Sequence, residues 1–231
     1  MKFIFVNGSP KNEDSCVERA FDEIKNVLKS NGHSVTSFYI HLFEDCRNCR
    51  NCKDGLWCPL KDANILENFV KESKTANGII FGSPVYYGGI TSQMKAFLTR
   101  LFFSHPKALM FKPIATVVSS RRAGSVMALS EFNLPFLMHS CFLVGSQYWN
   151  EVHGDVQEDV ELDYEGLQCM RTLAQNMMFI ADALKDKQYP EHEIKKHLNY
   201  ISREYKSYVQ KDKQMKEYTD LVVNSYDKEN E

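Results

Sequence analysis

Five short apolar runs, each separated from the next by a stretch with helical spacing, constrain this chain more than any other feature. The runs are 2–6, 34–40, 78–81, 112–119 and 141–145, the second rich in β-branched and aromatic residues. Between them, apolar residues recur at one-face helical spacing. Val17, Ala20, Phe21, Ile24, Val27 and Leu28 predict a helix over 16–28, stopped by Asn31-Gly32. Ile65, Leu66, Phe69 and Val70 predict one over 62–74, and Ile90, Met94, Phe97, Leu98 and Leu101 one over 90–103. A helix over 126–139 contains Pro135 and is expected to kink or break there, and a last helix is expected over 166–184. Strands alternating with helices argue a parallel, doubly wound α/β sheet of five strands. In such a sheet ligands bind outside the carboxyl ends of the strands, so the loops there are the place to look for chemistry.

The loop after the third run reads Gly82-Ser-Pro-Val-Tyr-Tyr-Gly-Gly. Its glycines let a flat ligand approach the backbone, and Tyr86 and Tyr87 offer planar faces and hydroxyls. An ordinary tight turn, with the tyrosines as packing residues, is the alternative. The loop after the first run, Asn7-Gly8-Ser9-Pro10-Lys11 to Ser15, delivers the chain to a helix N-terminus, where unpaired N–H groups and the dipole favour a phosphate. Ser9 and Ser15 add hydroxyls and Lys11 a charge, although Ser15 is equally suited to cap the helix. The fourth run ends in Ser120-Arg121-Arg122-Ala123-Gly124, which is either surface arginines or anion-binding groups with a glycine for close approach. The fifth leads into Tyr148-Trp149-Asn150-Glu151-Val152-His153-Gly154. Here His153 is a candidate proton donor or a plain loop residue. No Gly-x-Gly-x-x-Gly dinucleotide fingerprint is present, so any nicotinamide cofactor would bind transiently.

Four of the seven cysteines fall within thirteen residues, Cys46, Cys49, Cys52 and Cys58, spaced C-x2-C-x2-C-x5-C and followed by Pro59. Thiolates this close can surround one metal centre. The compact run resembles iron–sulfur ligation more than zinc sites, which separate two pairs by a longer span. Arg47, Arg50 and Lys53 would lower thiol pKa values and offset an anionic cluster. A cluster, redox-active thiols and zinc all remain open at this point.

Gly82-Ser-Pro-Val-Tyr-Tyr-Gly-Gly-Ile-Thr-Ser-Gln-Met-Lys-Ala-Phe97 resembles the second flavin loop of the NAD(P)H-dependent FMN reductases of the flavodoxin-like superfamily. More narrowly, it is similar to the iron–sulfur flavoproteins and multimeric flavodoxins. The resemblance covers residues 1–185 and implies a flavodoxin-like fold. It implies an FMN phosphate site at Ser9, Lys11, Ser15 and Cys16. The family pattern there, Gly-Ser-Pro-Arg-x-x-Gly-Asn-Thr, is kept at Gly8-Ser9-Pro10, with Asp14, Ser15 and Cys16 in place of its last three residues. It implies ring contacts from Ser83, Pro84, Val85, Tyr86, Tyr87 and Gly88, and a second flank from Ser120, Arg121, Arg122 and Gly124. It also implies a [4Fe-4S] cluster on Cys46, Cys49, Cys52 and Cys58, and places Trp149 and His153 on the substrate face.

The leading expectation is therefore an FMN-dependent oxidoreductase passing electrons from NAD(P)H to a quinone, a flavin or another acceptor. One alternative is an electron carrier using FMN and a [4Fe-4S] cluster and fed by a ferredoxin-like donor. Another is a zinc-stapled binding module without flavin. Net charge is −2, which indicates neither a nucleic acid nor a membrane surface as partner. The absence of a signal-peptide pattern and the many cysteines lead us to expect a cytoplasmic protein. A homodimer or homotetramer is expected from the resemblance. Residues 186–231, glycine-free and tyrosine-rich, are expected to form a helical extension without catalytic groups.

Overall fold

The computed structural model describes residues 1–52 and 58–188, of which Met1–Lys187 form one compact unit. The expected extension over 186–231 lies, from 189 onward, outside the described residues. The strands are β1 (Lys2–Asn7), β2 (Ser34–Tyr39), β3 (Gly78–Pro84), β4 (Pro113–Ser120), β5 (Phe142–Leu143) and β6 (Glu151–His153). The helices are α1 (Cys16–Ser30), α2 (Ala63–Ser73), α3 (Ser92–Ser104), α4 (Ser125–Met138) and α5 (Tyr164–Leu184). All strand pairs are parallel, in the order β2-β1-β3-β4-β5. That is the flavodoxin-like order, with its topological switch point between β1 and β3.

Period-two alternation divides each central strand between two cores. Ile4 and Val6 of β1, Ile79 and Phe81 of β3, and Ile114 and Val118 of β4 face α2, α3 and α4. Phe3 and Phe5, Ile80, and Ala115 and Val117 face α1 and α5. Every residue of β4 is buried, as a strand covered on both faces requires.

Three expectations need correction. The fifth strand does not run unbroken over 141–145. Phe142 and Leu143 pair with Pro113 and Ile114, the chain loops out, and Glu151–His153 return to pair with Val118–Ser120. Asn150 closes the excursion, its Oδ1 accepting from Ser146 N (3.0 Å) and its Nδ2 donating to Val144 O (3.3 Å). Two short strands thus share the fifth position. Pro135 does not interrupt α4, because it stands in the last turn and removes a single backbone hydrogen bond. The helix expected from residue 90 starts at Ser92, with Thr91 as its N-cap.

Candidate functional site

The loops leaving β1, β3 and β4 open at the switch point and hold one another. Gly8 N donates to Gly82 O (2.8 Å), and Thr91 Oγ1 donates to Gly8 O (2.8 Å). A side chain at Gly8 would meet Met94 Cβ at 2.9 Å, so α3 packs directly against the first loop. Thr91 is fully buried and also caps α3, accepting from Met94 N (3.3 Å).

In the first loop, Asn7 is the organiser. Its Oδ1 accepts from Ser9 N (2.8 Å), and its Nδ2 donates to Glu18 Oε2 (2.7 Å) and Asn12 O (3.2 Å). Ser15 acts as the α1 cap, accepting from Glu18 N (3.1 Å) and donating to Asn12 O (2.6 Å). Ser9 is buried and its Oγ accepts from Lys11 N (3.2 Å), while Lys11 is exposed. Asp14 is exposed on the 3-10 turn Asn12–Asp14. Cys16 opens α1 with a buried thiol that faces Gly154 O (3.5 Å). Burial raises its pKa, with Lys11 opposing, so at neutral pH it is a thiol and a weak donor.

The β3–α3 loop is a two-residue turn. Tyr86 and Gly89 exchange both backbone hydrogen bonds (2.9 and 3.0 Å), and Tyr87 and Gly88 between them have φ 51° and 81°. That is the type I′ pattern, which requires positive φ at both central positions. Gly88 meets the requirement at no cost, whereas Tyr87 is a bulky residue held in the left-handed region with its ring in solvent. Ser83, expected beside a ring, is instead fully buried at the end of β3, donating to Pro84 O (2.9 Å) and accepting from Thr91 N (2.9 Å). Pro84 and Val85 are half-buried and Tyr86 is exposed.

The β4–α4 loop completes the group. Val85 N donates to Ser119 O (2.8 Å). Gly124 has φ 95°, and a Cβ there would stand 3.2 Å from both Gly88 Cα and Val85 Cγ1. Only glycine allows this approach. Ser120 is buried, its hydroxyl paired with that of Ser125 (2.8 Å), while Arg121 and Arg122 are exposed. Arg122, Gly124, Met127, Glu151 and His153 border an open depression of about 280 Å³. His153 N donates to Asp163 Oδ2 (2.7 Å), and its Nδ1 lies 3.5 Å from the same oxygen.

The four cysteines of the 46–58 loop line one cavity of about 290 Å³. Arg47, Arg50 and Arg100 share its wall with Leu60, Leu66 and Phe103. Asn48 and Arg50 have φ 51° and 63°. Left-handed residues within a short loop turn backbone N–H groups into an anion-binding concavity of the sort seen at iron–sulfur sites. Asn48 N donates to Cys46 Sγ (3.4 Å), and Arg100 Nη2 to Cys58 Sγ (3.4 Å). Among the described residues, no three His, Cys, Asp or Glu side chains stand close enough to share one metal ion. Cysteine thiolates are the ligands of iron–sulfur clusters. The donor set, the cationic wall and the N–H···S bonds fit such a group.

Four residues that sequence reasoning passed over shape these sites: Asn7, Thr91, Glu131 and Arg100. Glu131 of α4 accepts from Ile90 N (3.1 Å) and pairs with Lys95, bracing the β3–α3 loop from behind. That Lys95 contact and the Ile90 N–H hold its carboxyl below the usual range. Thr91 carried a signal, being a capping residue directly before a helix. Glu131 and Arg100 carried none, since their partners lie some forty residues or more away.

The model of the NADPH-dependent FMN reductase family matches residues 1–154. An iron-sulfur flavoprotein of Methanocaldococcus jannaschii is 28% identical over 200 residues, covering 80% of this chain and 100% of that one. An iron-sulfur flavoprotein of Methanosarcina thermophila is 24% identical, covering 80% and 97%. Among solved structures, RosB with bound 8-demethyl-8-formylriboflavin-5'-phosphate superposes with a TM-score of 0.67 at 11% identity, covering 88% and 87%. An NADH:FMN oxidoreductase in its apo form gives 0.54 at 19% identity, covering 80% and 91%.

Proposed function

The chain belongs to the NADPH-dependent FMN reductase family and is an FMN-dependent oxidoreductase; on that premise we propose where FMN is held and where its electrons go. Its phosphate is taken by the β1–α1 loop, through Lys11, the Ser9 and Cys16 region and the N–H groups at the start of α1. Its ring lies against Pro84, Val85, Tyr86, Tyr87 and Gly88, with Arg121, Arg122 and Gly124 on the other flank. The observation that carries this is the mutual locking of the three loops, in which Thr91 binds Gly8 and Gly124 fits against Gly88 and Val85.

FMN, when bound, would supply the chemistry of accepting hydride from NAD(P)H and passing electrons to an acceptor. The chain's own part is positional. Tyr87 offers an exposed ring for stacking, and Arg121 and Arg122 would supply positive charge beside the ring. His153, held by Asp163, stands beside the depression as a proton donor for a quinone-like acceptor. Cys46, Cys49, Cys52 and Cys58 would hold a [4Fe-4S] cluster, which supplies one-electron transfer.

That cavity also favours a second reading, an electron carrier that exchanges single electrons with a ferredoxin-like protein and turns over NAD(P)H poorly. Anaerobic purification with an absorption spectrum, and FMN, iron and zinc assays on one sample, followed by NAD(P)H oxidation with a quinone, tests both. FMN with rapid turnover supports the reductase; FMN and iron without turnover supports the carrier. A colourless zinc protein would defeat both.

Helix α4 supports a homo-oligomer. Beside its polar Ser130, Glu131 and Asn133, it leaves Met127, Leu134 and Met138 as an exposed apolar stripe beginning beside the depression. A contiguous exposed apolar stripe marks an interaction surface, and a second copy of this chain supplies the cover. No helix among the described residues is long and apolar enough to cross a membrane. A reducing compartment, the cytoplasm, suits exposed cysteines such as Cys49.

A further inference from the structure

Arg100 differs from the other cations around the cysteine cavity in being buried, at 3% exposure, whereas Arg47 is exposed and Arg50 half-exposed. It projects from the middle of α3. Its Nη1 pairs with Asp62 and donates to Glu44 O (3.0 Å). Its Nη2 donates to Cys58 Sγ (3.4 Å). The guanidinium carbon lies 4.2 Å from the centroid of the Phe43 ring, and the buried Nε has no hydrogen-bond partner. A guanidinium is costly to bury, and an anchoring role alone would be filled by Asp62 and the Glu44 carbonyl. The fork instead sends one nitrogen to that anchor and the other to a cysteine sulfur.

We infer that Arg100 is a positioning residue that sets the reduction potential of the metal cluster held at Cys58. The inference rests on the reading of the four cysteines as cluster ligands. An N–H···S bond strengthens as the sulfur gains negative charge. In a site of low dielectric it therefore favours the reduced cluster, and hydrogen bonds to ligand sulfur are among the determinants of such potentials. Asp62 works in the opposite direction by neutralising part of the guanidinium charge. Arg100 lies ~13 Å along α3 from Thr91, at 1.5 Å per residue, so changing it leaves the three loops of the flavin site in place.

The test is a dithionite titration followed by electron paramagnetic resonance, on full-length wild type, Arg100→Met, Arg100→Lys and Asp62→Asn, with iron and FMN content measured on each. Arg100→Met should cut the reduced-to-oxidised ratio of the cluster at fixed poise about tenfold, a shift of ~59 mV to lower potential for one electron. Arg100→Lys should fall between, keeping charge without the directed fork. Asp62→Asn should move the potential the other way, which mere loosening of the loop would not do. FMN retention reports that the fold survives. Iron-loaded variants with the wild-type potential would overturn the inference and leave the cluster reading standing. If Arg100→Met fails to load, an Asp62→Asn potential unchanged or lowered is enough to overturn it. A wild type without iron would remove the cluster reading and the inference together.

Discussion

Replacing Thr91 with valine, which keeps the shape and removes the hydroxyl, should uncouple the β1–α1 and β3–α3 loops. Three contacts go: the donation to Gly8 O (2.8 Å), the cap on Met94 N (3.3 Å) and the contact with Ser83 Oγ (3.4 Å). Losing a helix cap costs about 0.5–2 kcal/mol, and a buried carbonyl left without its donor about 1–3 kcal/mol. The combined loss should be about 2–4 kcal/mol, which for a unit of this size lowers the melting temperature by about 4–16 °C. Thr91→Ser keeps the hydroxyl and loses one methyl, so it should cost about 1 kcal/mol. Urea unfolding of the FMN-free proteins gives the stability difference, and quenching of FMN fluorescence gives the affinity. The valine variant should bind FMN at least about tenfold more weakly than the serine variant, tenfold corresponding to about 1.4 kcal/mol. Equal stabilities for valine and serine, or an unchanged FMN affinity in the valine variant, would refute the claim that this hydroxyl ties the loops together.

Gly124→Ala places a Cβ 3.2 Å from Gly88 Cα at φ 95°, where left-handed strain alone costs about 1–2 kcal/mol; calorimetry should show FMN binding weakened tenfold or more. Glu131 has a folded-state pKa below its unfolded value, so its contribution is present above the unfolded carboxylate range and is lost as pH falls through the lowered value. FMN should accordingly be released on acidification in the wild type, and Glu131→Gln should flatten that pH dependence. Burial pushes the Cys141 thiol up to about 12 and raises Cys16 and Cys169. Alkylation of metal-free protein at pH 8, read by mass spectrometry, should therefore modify the cysteines of the 46–58 loop first, and reconstitution with iron and sulfide should protect them. Leu134→Glu on the exposed stripe of α4 should convert an oligomer to monomers in light scattering; an unchanged mass would remove α4 as the interface.

The alternation of apolar runs and helical spacing made the sheet legible, because buried parallel strands and amphipathic helices are local patterns. The interruption of the fifth strand was not legible. It depends on Asn150 closing a loop back onto Val144 and Ser146, and the apolar run 141–145 gives no hint that only Phe142 and Leu143 pair. The glycines and tyrosines of the site were visible as residue types. Ser15 was legible as a cap as well as a ligand hydroxyl, and it is the cap; Ser83, expected against the ring, instead spends its hydroxyl on Pro84 O and Thr91 N, which nothing in the loop's sequence announced. Glu131 and Arg100 act on partners far along the chain, and a single sequence holds no trace of such pairs.

The residues beneath the β1–α1 loop, our proposed phosphate site, show how this chain accommodates its departures from the family pattern. Glu18, in the first turn of α1, would repel a phosphate at that helix start. It is buried, and Lys25 pairs with it, while Tyr39 OH (3.2 Å) and Asn7 Nδ2 (2.7 Å) donate to its two oxygens. Burial and the Glu18 charge drive the Tyr39 hydroxyl upward in pKa, so it remains a donor at all ordinary pH values. The carboxylate is thus neutralised below the loop and serves as an anchor for Asn7, which shapes the turn through Ser9 N and Asn12 O. Asp14 lies exposed on its own 3-10 turn, and Cys16 contributes a neutral thiol. What remains to meet an anion there is Lys11, standing where the family pattern has arginine, and the backbone of the α1 N-terminus.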